Sequence, residues 1–292
     1  MTVIGIVGGS GLYDLEGLVD RQWVTVASPF GAPSDQLLTG RLGGQRVAFL
    51  PRHGRGHRIP PDAINYRANV DALKRVGCTS VISVSAVGSL RADLPPGTFV
   101  LVDQFIDRTL RGPKSFFGTG LVAHVSMAHP TCRRLIDALA AAGQGAGVRL
   151  VTGGTYLVME GPQFSSLAES RWHQALGADV IGMTNMPEAK LAREAELCYA
   201  TVAMVTDFDC WHPDHDAVQV ADVIKLLGAN GAAARRLLAA VLPTVGHAAP
   251  CPHGCDRALE HALITAPDAR DPEVAARLDA VAGRVLGPRS GA

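Results

Sequence analysis

The chain has 292 residues, of which 47% are hydrophobic, and its 27 lysines and arginines balance 27 aspartates and glutamates. This balance, with no block of basic residues, excludes the broad positive surface that nucleic-acid binding requires. No transmembrane helix is expected, because Pro243, Gly246, Pro250 and Pro252 interrupt the longest stretch without charges. The length is sufficient for a large hydrophobic core that needs neither a disulfide nor a metal ion for its stability.

The six cysteines are mostly far apart in the sequence, which favours a reduced, cytoplasmic protein. Only Cys251 and Cys255 are close neighbours, in the segment Cys-Pro-His-Gly-Cys. Three candidate ligands within five residues, with no fourth ligand nearby in the sequence, are weak evidence for a metal site. We therefore expect no metal ion, and a local disulfide is the alternative for this pair.

Short β-branched runs alternate with longer amphipathic segments, which is typical of an α/β sheet covered by helices. Strands are predicted at Thr2–Val7, Val47–Leu50, Ser80–Ser85, Phe99–Val102, Leu150–Thr152, Asp179–Met183 and Tyr199–Val205. Helices are predicted at Asp62–Val76, Pro130–Ala142, Ser166–Leu176 and Pro187–Glu196, from Val220 toward Leu242, and as two short helices within Arg257–Leu286. Because no repeat or linker interrupts this pattern, residues 1–292 are expected to form a single domain, with a looser tail from about residue 243.

Two loops that follow predicted strands are candidates for binding a small anion. Gly8-Gly9-Ser10-Gly11 offers backbone N–H groups and a hydroxyl, although a tight turn explains the same residues. Pro51–Arg58 contains three arginines and two histidines, and arginine can contact two oxygens of an oxyanion at once. The alternative for this second loop is a solvated basic turn, and a zinc site is not expected because no Asp, Glu or Cys lies among the histidines.

Two further segments combine small or polar residues with turns. Ser83–Ser89 ends a buried strand, where hydroxyl groups suit hydrogen bonding to phosphate better than nucleophilic catalysis. In Met159–Ser166, Ser166 and Glu169 predict a capping box, which leaves Glu160 and Phe164 without an explanation.

A pair of carboxylates, Asp207 and Asp209, ends the last predicted strand beside two aromatic residues. If the strand geometry persists, both side chains point to the same side. A carboxyl group next to aromatic rings can have a raised pKa and act as a proton donor, whereas a solvated pair would only cap a turn.

Together, these motifs resemble the 5′-methylthioadenosine phosphorylase branch of the trimeric purine nucleoside phosphorylase family, from about Val3 to Leu242. The resemblance rests on the segments IGIVGGSGLYDLEG, LPRHGRGHRIPPDAINYRAN, VDQFIDRT, MEGPQFSS, GMTNMPEAKLAREAELCYA and TDFDCW. It implies the nucleoside phosphorylase fold, with a central mixed sheet flanked by helices, and a homotrimer. It also implies purine and methionine salvage by phosphorolysis, in which inorganic phosphate is a co-substrate and no cofactor is needed.

The resemblance also assigns site residues. It implies a phosphate site made by Ser10, Arg52, His53, Ser85, Ala86 and Thr184. Many family members have threonine at the position of Ser10, which keeps the hydroxyl. It places Met183 under the ribose and Phe164 on the purine ring, although Met183 alone would be interpreted as a core residue.

At the base, the resemblance implies that Asp207 protonates or hydrogen-bonds N7 and that Asp209 recognises the 6-amino group, with Ser165 beside them. Phosphorylases of 6-oxopurines usually have asparagine at the position of Asp207, so an adenine-type base is expected. At the 5′ end, Val220 and Val223 would form an apolar pocket for the methylthio group, together with His57 and a neighbouring subunit's His124. Helical core packing explains the two valines equally well.

Two alternatives follow from the same residues. The first is a phosphorylase of 6-oxopurine nucleosides or of S-methyl-5′-thioinosine, against which Asp207 argues. The second is a noncatalytic protein that binds purine nucleosides, which is disfavoured because the phosphate, ribose and base positions are all retained.

Overall fold

The computed structural model describes residues 2–9, 12, 14–213, 220–246 and 250–287, with the backbone alone for residues 220–225 and 227. Eleven strands within these residues form one mixed sheet. They are β1 (Val3–Gly8), β2 (Val19–Val24), β3 (Leu37–Leu42), β4 (Gln45–Pro51), β5 (Cys78–Ser89), β6 (Thr98–Val102), β7 (Gln104–Asp107), β8 (Arg149–Thr152), β9 (Thr155–Val158), β10 (Val180–Gly182) and β11 (Cys198–Asp207).

The sheet branches at its longest strand, β5. The strand order is β2-β3-β4-β1-β5-β10-β9-β7, and β11 also pairs with β5 and carries β6 and β8. Strands β4, β1, β5 and β11 are mutually parallel, whereas β2/β3, β3/β4, β5/β10 and β6/β11 are antiparallel pairs. The predicted central mixed sheet is therefore confirmed.

Seven α-helices cover the sheet within the described part of the chain. They are α1 (Tyr66–Arg75), α2 (Arg133–Ala146), α3 (Leu167–Ala175), α4 (Asn185–Glu194), α5 (Val220–Val245), α6 (Pro272–Arg277) and α7 (Asp279–Leu286). None of the described helices has both the length and the hydropathy needed to cross a membrane.

Alternate residues of the central strands supply two hydrophobic cores, one on each face of the sheet. In β1, Val3 and Val7 belong to one core, while Ile4 and Ile6 belong to the other. Helices α1, α4 and α7 pack on the first face and α2 and α5 on the second. Because both faces are covered, the central strands can be apolar at nearly every position, as in VISVS.

Several predicted helix boundaries differ from the observed ones by a few residues. The segment predicted as one helix over Asp62–Val76 contains a short 3₁₀ turn and then α1, because the Asn65 side chain accepts a hydrogen bond from the Ala68 N–H and caps a new helix start. Helix α5 continues to Val245 and contains Pro243 within its last turn.

Four strands, β2, β3, β7 and β9, have no counterpart in the sequence prediction. Strand β2 is exposed along most of its length and contains Asp20, Arg21 and Gln22, so it lacks an apolar pattern. Strands β7 and β9 have four residues each, too few to show a periodicity.

The C-terminal segment packs onto the first core. Leu259 and Leu278 are fully buried in that core, and the two short helices expected in this segment are α6 and α7. Arg284 of α7 forms an ion pair of 2.7 Å with Glu196, whose Oε1 also accepts a hydrogen bond from the Leu259 backbone N–H.

Candidate active site

The carboxyl ends of three parallel strands place the two predicted anion loops and the serine segment side by side. Gly8 of β1 is in register with Pro51 of β4, and Val7 is in register with Ser83 of β5. The backbone N–H of Arg52 donates to the Gly8 carbonyl over 2.9 Å, so the second loop begins against the first. Ligands of open α/β sheets commonly bind at such an edge.

Arg52 is a buried cation held by a buried carboxylate. The side chain is 1% exposed, its Nε donates to Glu188 Oε2 over 2.8 Å, and one terminal nitrogen donates to Glu188 Oε1 over 3.2 Å. The other terminal nitrogen donates to the Val84 carbonyl over 3.2 Å. Burial alone would lower the pKa of Arg52, but the Glu188 carboxylate raises it above its ordinary value, so the guanidinium stays charged.

Asn185 joins two predicted phosphate-site residues. Its Oδ1 accepts from Ser85 Oγ over 3.2 Å and from Thr184 Oγ1 over 3.4 Å. Its Nδ2 donates to the hydroxyls of Tyr199 and Thr201 over 2.7 and 2.5 Å, and the Tyr199 hydroxyl in turn donates to Glu188 Oε1 over 2.8 Å. A buried polar network therefore links Arg52, Ser85 and Thr184.

His53 lies beside Arg52 as a neutral imidazole. Burial, together with the neighbouring Arg52 charge, lowers the pKa of His53 to about 4. Its Nδ1 lies 2.9 Å from the Ile59 carbonyl, an acceptor, so Nδ1 carries the proton and Nε2 presents a lone pair. His57 stacks on this ring with centroids 4.1 Å apart, and its own backbone has a φ of 53°.

Met183, predicted for the ribose, lies against the loop of Phe164, predicted for the purine. A Cβ added to Gly161 would lie 2.5 Å from Met183 Sδ, so the loop that carries Phe164 runs directly against Met183. Phe164 is 46% exposed, which leaves its ring available for stacking. Glu160, unexplained by the sequence, accepts hydrogen bonds from the backbone N–H groups of Leu110 and Arg111 over 2.6 and 3.2 Å and so fixes this loop.

The strand geometry does not persist through both aspartates. Strand β11 ends at Asp207 after a register shift against β5, and Asp209 has a φ of 52° in the left-handed region. Asp207 Oδ1 accepts from the Asp209 N–H over 2.8 Å, and Oδ2 accepts from Thr206 Oγ1 over 2.7 Å. A turn closed by Asp207 itself, rather than strand alternation, brings the two carboxylates together.

The two aspartates differ in their environments. Burial raises the pKa of Asp207, against the lowering effect of its two hydrogen bonds. Asp209 is 6% exposed, and its Oδ2 is buried without a hydrogen-bond partner among the described residues. A buried acceptor without a donor is costly, and an amino group on a ligand would satisfy it.

Ser165 links the purine loop to the aspartate turn, because its carbonyl accepts from Cys210 Sγ over 3.3 Å. Its Oγ lies 3.8 Å from Met159 Sδ. The capping box predicted for the next helix is confirmed, since Ser166 Oγ accepts from the Glu169 N–H and the Glu169 carboxylate accepts from the Ser166 N–H. Ala86 is half-buried in β5 next to Ser85.

Some assigned residues lie elsewhere or outside the description. Ser10 is not among the described residues, and for Val220 and Val223 only the backbone, in the first turn of α5, is described. His124, assigned to the site of a neighbouring subunit, is exposed, and its backbone N–H donates to the Ala262 carbonyl over 2.9 Å.

The buried residues that hold the predicted phosphate-site side chains in place were not identified from the sequence. Asn185 and Glu188 are buried and contact the predicted phosphate-site residues directly, and Tyr199 joins the two through its hydroxyl. Their signal in the sequence is weak, because helix α4 buries charged and polar residues along with apolar ones and so shows no clean apolar face. A polar residue at a position that the helical pattern buries is the signal that could have indicated these residues.

The chain is similar over nearly its whole length to known phosphorylases. Residues 3–243 match the family model described as Phosphorylase superfamily. The S-methyl-5′-thioadenosine phosphorylase of Cereibacter sphaeroides is 60% identical over 98% of this chain and 99% of its own length. That of Rhodospirillum rubrum is 59% identical over 98% and 97%.

Two solved structures are also similar. A methylthioadenosine phosphorylase from an antarctic soil metagenomic library has a TM-score of 0.89 and 45% identity, with 96% of this chain and 98% of that chain covered. The methylthioadenosine phosphorylase of Schistosoma mansoni in complex with adenine has a TM-score of 0.83 and 36% identity, with 90% and 99% covered.

The Arg52–Glu188 pair generates a stability prediction. Glu188→Gln keeps the shape of the side chain but leaves the Arg52 charge buried without its counter-charge, so we expect a loss of roughly 3–5 kcal/mol in the free energy of unfolding. Urea denaturation measures this loss. The control Glu273→Gln, at an exposed glutamate, should stay within about 0.5 kcal/mol of the wild type. Equal stability of the two variants would contradict this account of the pair.

The neutral state of His53 generates a prediction of pH dependence. The unfolded imidazole binds a proton below about pH 6.5, whereas the folded one, with a pKa of about 4, does not. The contribution of His53 to stability is therefore complete at a pH above the pKa of the unfolded imidazole. It is lost as the pH falls through the pKa of His53 in the folded protein. Between pH 7 and pH 4.5, the wild type should lose more unfolding free energy than His53→Gln does. Parallel pH curves for the wild type and His53→Gln would contradict this prediction. An equal reduction of the pH dependence in the exposed control His261→Gln would contradict it as well.

Proposed function

The chain belongs to the phosphorylase superfamily, and from this premise we propose that it is a pentosyltransferase acting on S-methyl-5′-thioadenosine. Inorganic phosphate displaces the base, so that adenine and 5-methylthio-α-D-ribose 1-phosphate are formed for purine and methionine salvage. Relatives that are 60% identical to this chain over nearly its whole length are named S-methyl-5′-thioadenosine phosphorylase. The observation that carries the proposal is one sheet edge with a fixed cation at the ends of β4 and β5 and two carboxylates at the end of β11.

On the phosphate side, we assign Ser10, Arg52, His53, Ser85, Ala86 and Thr184 to anion binding. Arg52 supplies a permanent positive charge, because Glu188 keeps it ionised and its side chain is held by at least three hydrogen bonds. His53 supplies an Nε2 lone pair that can accept a hydrogen bond from the O–H of a hydrogenphosphate ion. The Asn185 network positions the Ser85 and Thr184 oxygens, and each hydroxyl turns its single proton from Asn185 Oδ1 to the phosphate when the anion binds.

The bond changes require little covalent chemistry from the protein. A phosphate oxygen bonds to C1′ while the bond from C1′ to N9 of the base breaks, and the electron pair of that bond moves into the purine. The ribosyl group carries positive charge in the transition state, and the phosphate anion beside it stabilises this charge. Met183 packs under the ribose, as the resemblance implies.

On the base side, we assign Asp207 to N7 and Asp209 to the exocyclic amino group. The raised pKa of Asp207 increases its protonated fraction, which favours donation of a proton to N7 as the base departs. The unpartnered Oδ2 of Asp209 accepts a hydrogen bond from the 6-amino group of adenine. A 6-oxo group would place an acceptor against this acceptor, so the proposal predicts discrimination against 6-oxopurines.

The remaining assignments rest on the family alone. Val220, Val223, His57 and His124 of a neighbouring subunit would surround the 5′-methylthio group, with Phe164 on the purine and Ser165 beside it. We also propose a homotrimer that acts in the cytoplasm, uses no cofactor and binds neither nucleic acid nor membrane. Light scattering of the purified protein would test the trimer.

A four-nucleoside assay tests the substrate. With phosphate present, S-methyl-5′-thioadenosine should give the highest kcat/KM, followed by adenosine, while S-methyl-5′-thioinosine and inosine should be poor substrates. Release of the free base, followed by chromatography with and without phosphate, measures each reaction. Preference for the two inosine compounds would refute the assignment of the base, and absence of any phosphate-dependent release would favour the noncatalytic alternative.

Variants of Asp207 test the leaving-group role. Asp207→Ala removes the proton donor, and loss of general acid catalysis typically lowers kcat about 10²- to 10⁴-fold. Asp207→Asn replaces an acceptor oxygen by a donor, so the ratio of kcat/KM for inosine to that for adenosine should rise roughly tenfold or more.

The control for these variants is Asp268→Ala, at an exposed aspartate far along the chain, which should keep wild-type kinetics. Thermal unfolding of all variants separates loss of activity from loss of fold. An Asp207→Ala enzyme with wild-type kcat would contradict the role proposed for this carboxyl group.

A further inference from the structure

Four cysteines from three distant parts of the sequence meet in the second hydrophobic core. Cys132, Cys198, Cys251 and Cys255 are all buried, and their Sγ atoms all lie within 4.8 Å of one another. The proposed phosphorolysis uses none of them. The fold adds Cys132 and Cys198 to the pair Cys251 and Cys255, which are close neighbours in the sequence.

The spacing of the sulfur atoms matches shared coordination of an ion. Cys132 Sγ and Cys251 Sγ are 3.7 Å apart, whereas a disulfide would need about 2.05 Å. Four thiolates placed tetrahedrally at about 2.3 Å from a zinc ion are about 3.8 Å from each other. The cluster therefore has nearly the dimensions of a tetrathiolate zinc site.

The backbone around each cysteine is fixed independently of any ion. Cys132 directly precedes α2, and its N–H donates to the Tyr199 carbonyl over 2.7 Å, next to Cys198 at the start of β11. The Gly254 N–H donates to the Cys251 carbonyl over 2.9 Å, and Gly254 has a φ of 68°, so a tight turn brings Cys255 back beside Cys251. A separation of three residues between two cysteines is usual in structural zinc sites.

The surroundings suit a negatively charged centre. The Arg134 guanidinium lies within electrostatic reach of Cys132, Cys198 and Cys251. Its Nε is buried and has no acceptor within the part of the chain that the structure describes, although Nη2 reaches Ser80 Oγ over 3.4 Å. Four thiolates around Zn²⁺ carry a net charge of −2, and hydrogen bonds or cations in the next layer stabilise such sites.

We propose that Cys132, Cys198, Cys251 and Cys255 bind one structural zinc ion. Binding converts four thiols to thiolates and releases four protons to solvent, with no change in oxidation state. Four protein ligands leave no position for water or substrate, so the ion supports the fold and takes no part in phosphorolysis. Because the ligands come from the start of α2, from β11 and from the segment after α5, the ion pins the C-terminal segment to the body of the domain.

An ion can reach this cluster from solvent. Cys255 lines a cavity of about 520 Å³ together with Arg133, His129 and His253. Neither Arg52 nor Asp207 lines this cavity, so it is separate from the candidate active site, and it brings open space to the edge of the cysteine cluster.

Metal analysis of the purified wild-type protein tests the proposal. We expect close to one zinc per chain by atomic emission, and close to none in Cys255→Ser. The matched control is Cys78→Ala, which changes a buried cysteine outside the cluster and should keep its zinc. The melting temperature of the wild type, but not of Cys255→Ser, should fall after treatment with a strong chelator.

A second measurement does not depend on whether Cys255→Ser folds. Wild-type protein produced with Co²⁺ in place of zinc should show the intense visible absorption of a tetrahedral tetrathiolate cobalt site. After denaturation with chelator and without reductant, each wild-type chain should titrate six free thiols, one for each of its six cysteines. A wild-type protein without bound metal, an octahedral cobalt spectrum, or thiols missing in pairs because of disulfides would each overturn the proposal.

Discussion

The buried ion pair between Arg52 and Glu188 is the interaction on which the rest of the candidate site depends. Neither charge is stable in the core alone, so each requires the other at hydrogen-bond distance. The pair joins the loop after β4 to α4, and through the Tyr199 hydroxyl it reaches the Asn185 network. A cation fixed in this way is ready for an anion before the anion arrives, which lowers the entropic cost of binding.

The topology of the sheet determines which loops lie near the Arg52–Glu188 pair. Parallel pairing of β4, β1, β5 and β11 brings four carboxyl ends to one edge, so loops that are far apart in sequence face the same space. The groups that we propose for anion binding follow β4 and β5, while the two aspartates follow β11. The Arg52–Glu188 ion pair and the two aspartates therefore lie at different strand ends of the same edge.

Much of the fold was predictable where the pattern of residues is repetitive. Apolar runs located β1, β4, β5, β6, β8, β10 and β11, and helical periodicity located the main helices. Strand β2 was missed because its exposed polar residues satisfy no pattern. The sequence left a strand and a turn open for Asp207 and Asp209, because the turn is closed by a side-chain hydrogen bond that no residue pattern reports. Glu188, Asn185 and the Cys132–Cys198 contact depend on residues far away in sequence, which no local pattern reports.

The sequence by itself determined the family and the α/β class, and it supplied the side chains that we propose for the chemistry, because motif order and residue type are properties of the chain alone. Only the tertiary structure decided how those side chains are held: Arg52 by Glu188, Ser85 by Asn185, Asp209 by the turn after β11, and four cysteines by one another. The physical reason is that buried charges, acceptors and thiols need partners, and folding brings these partners from distant parts of the chain.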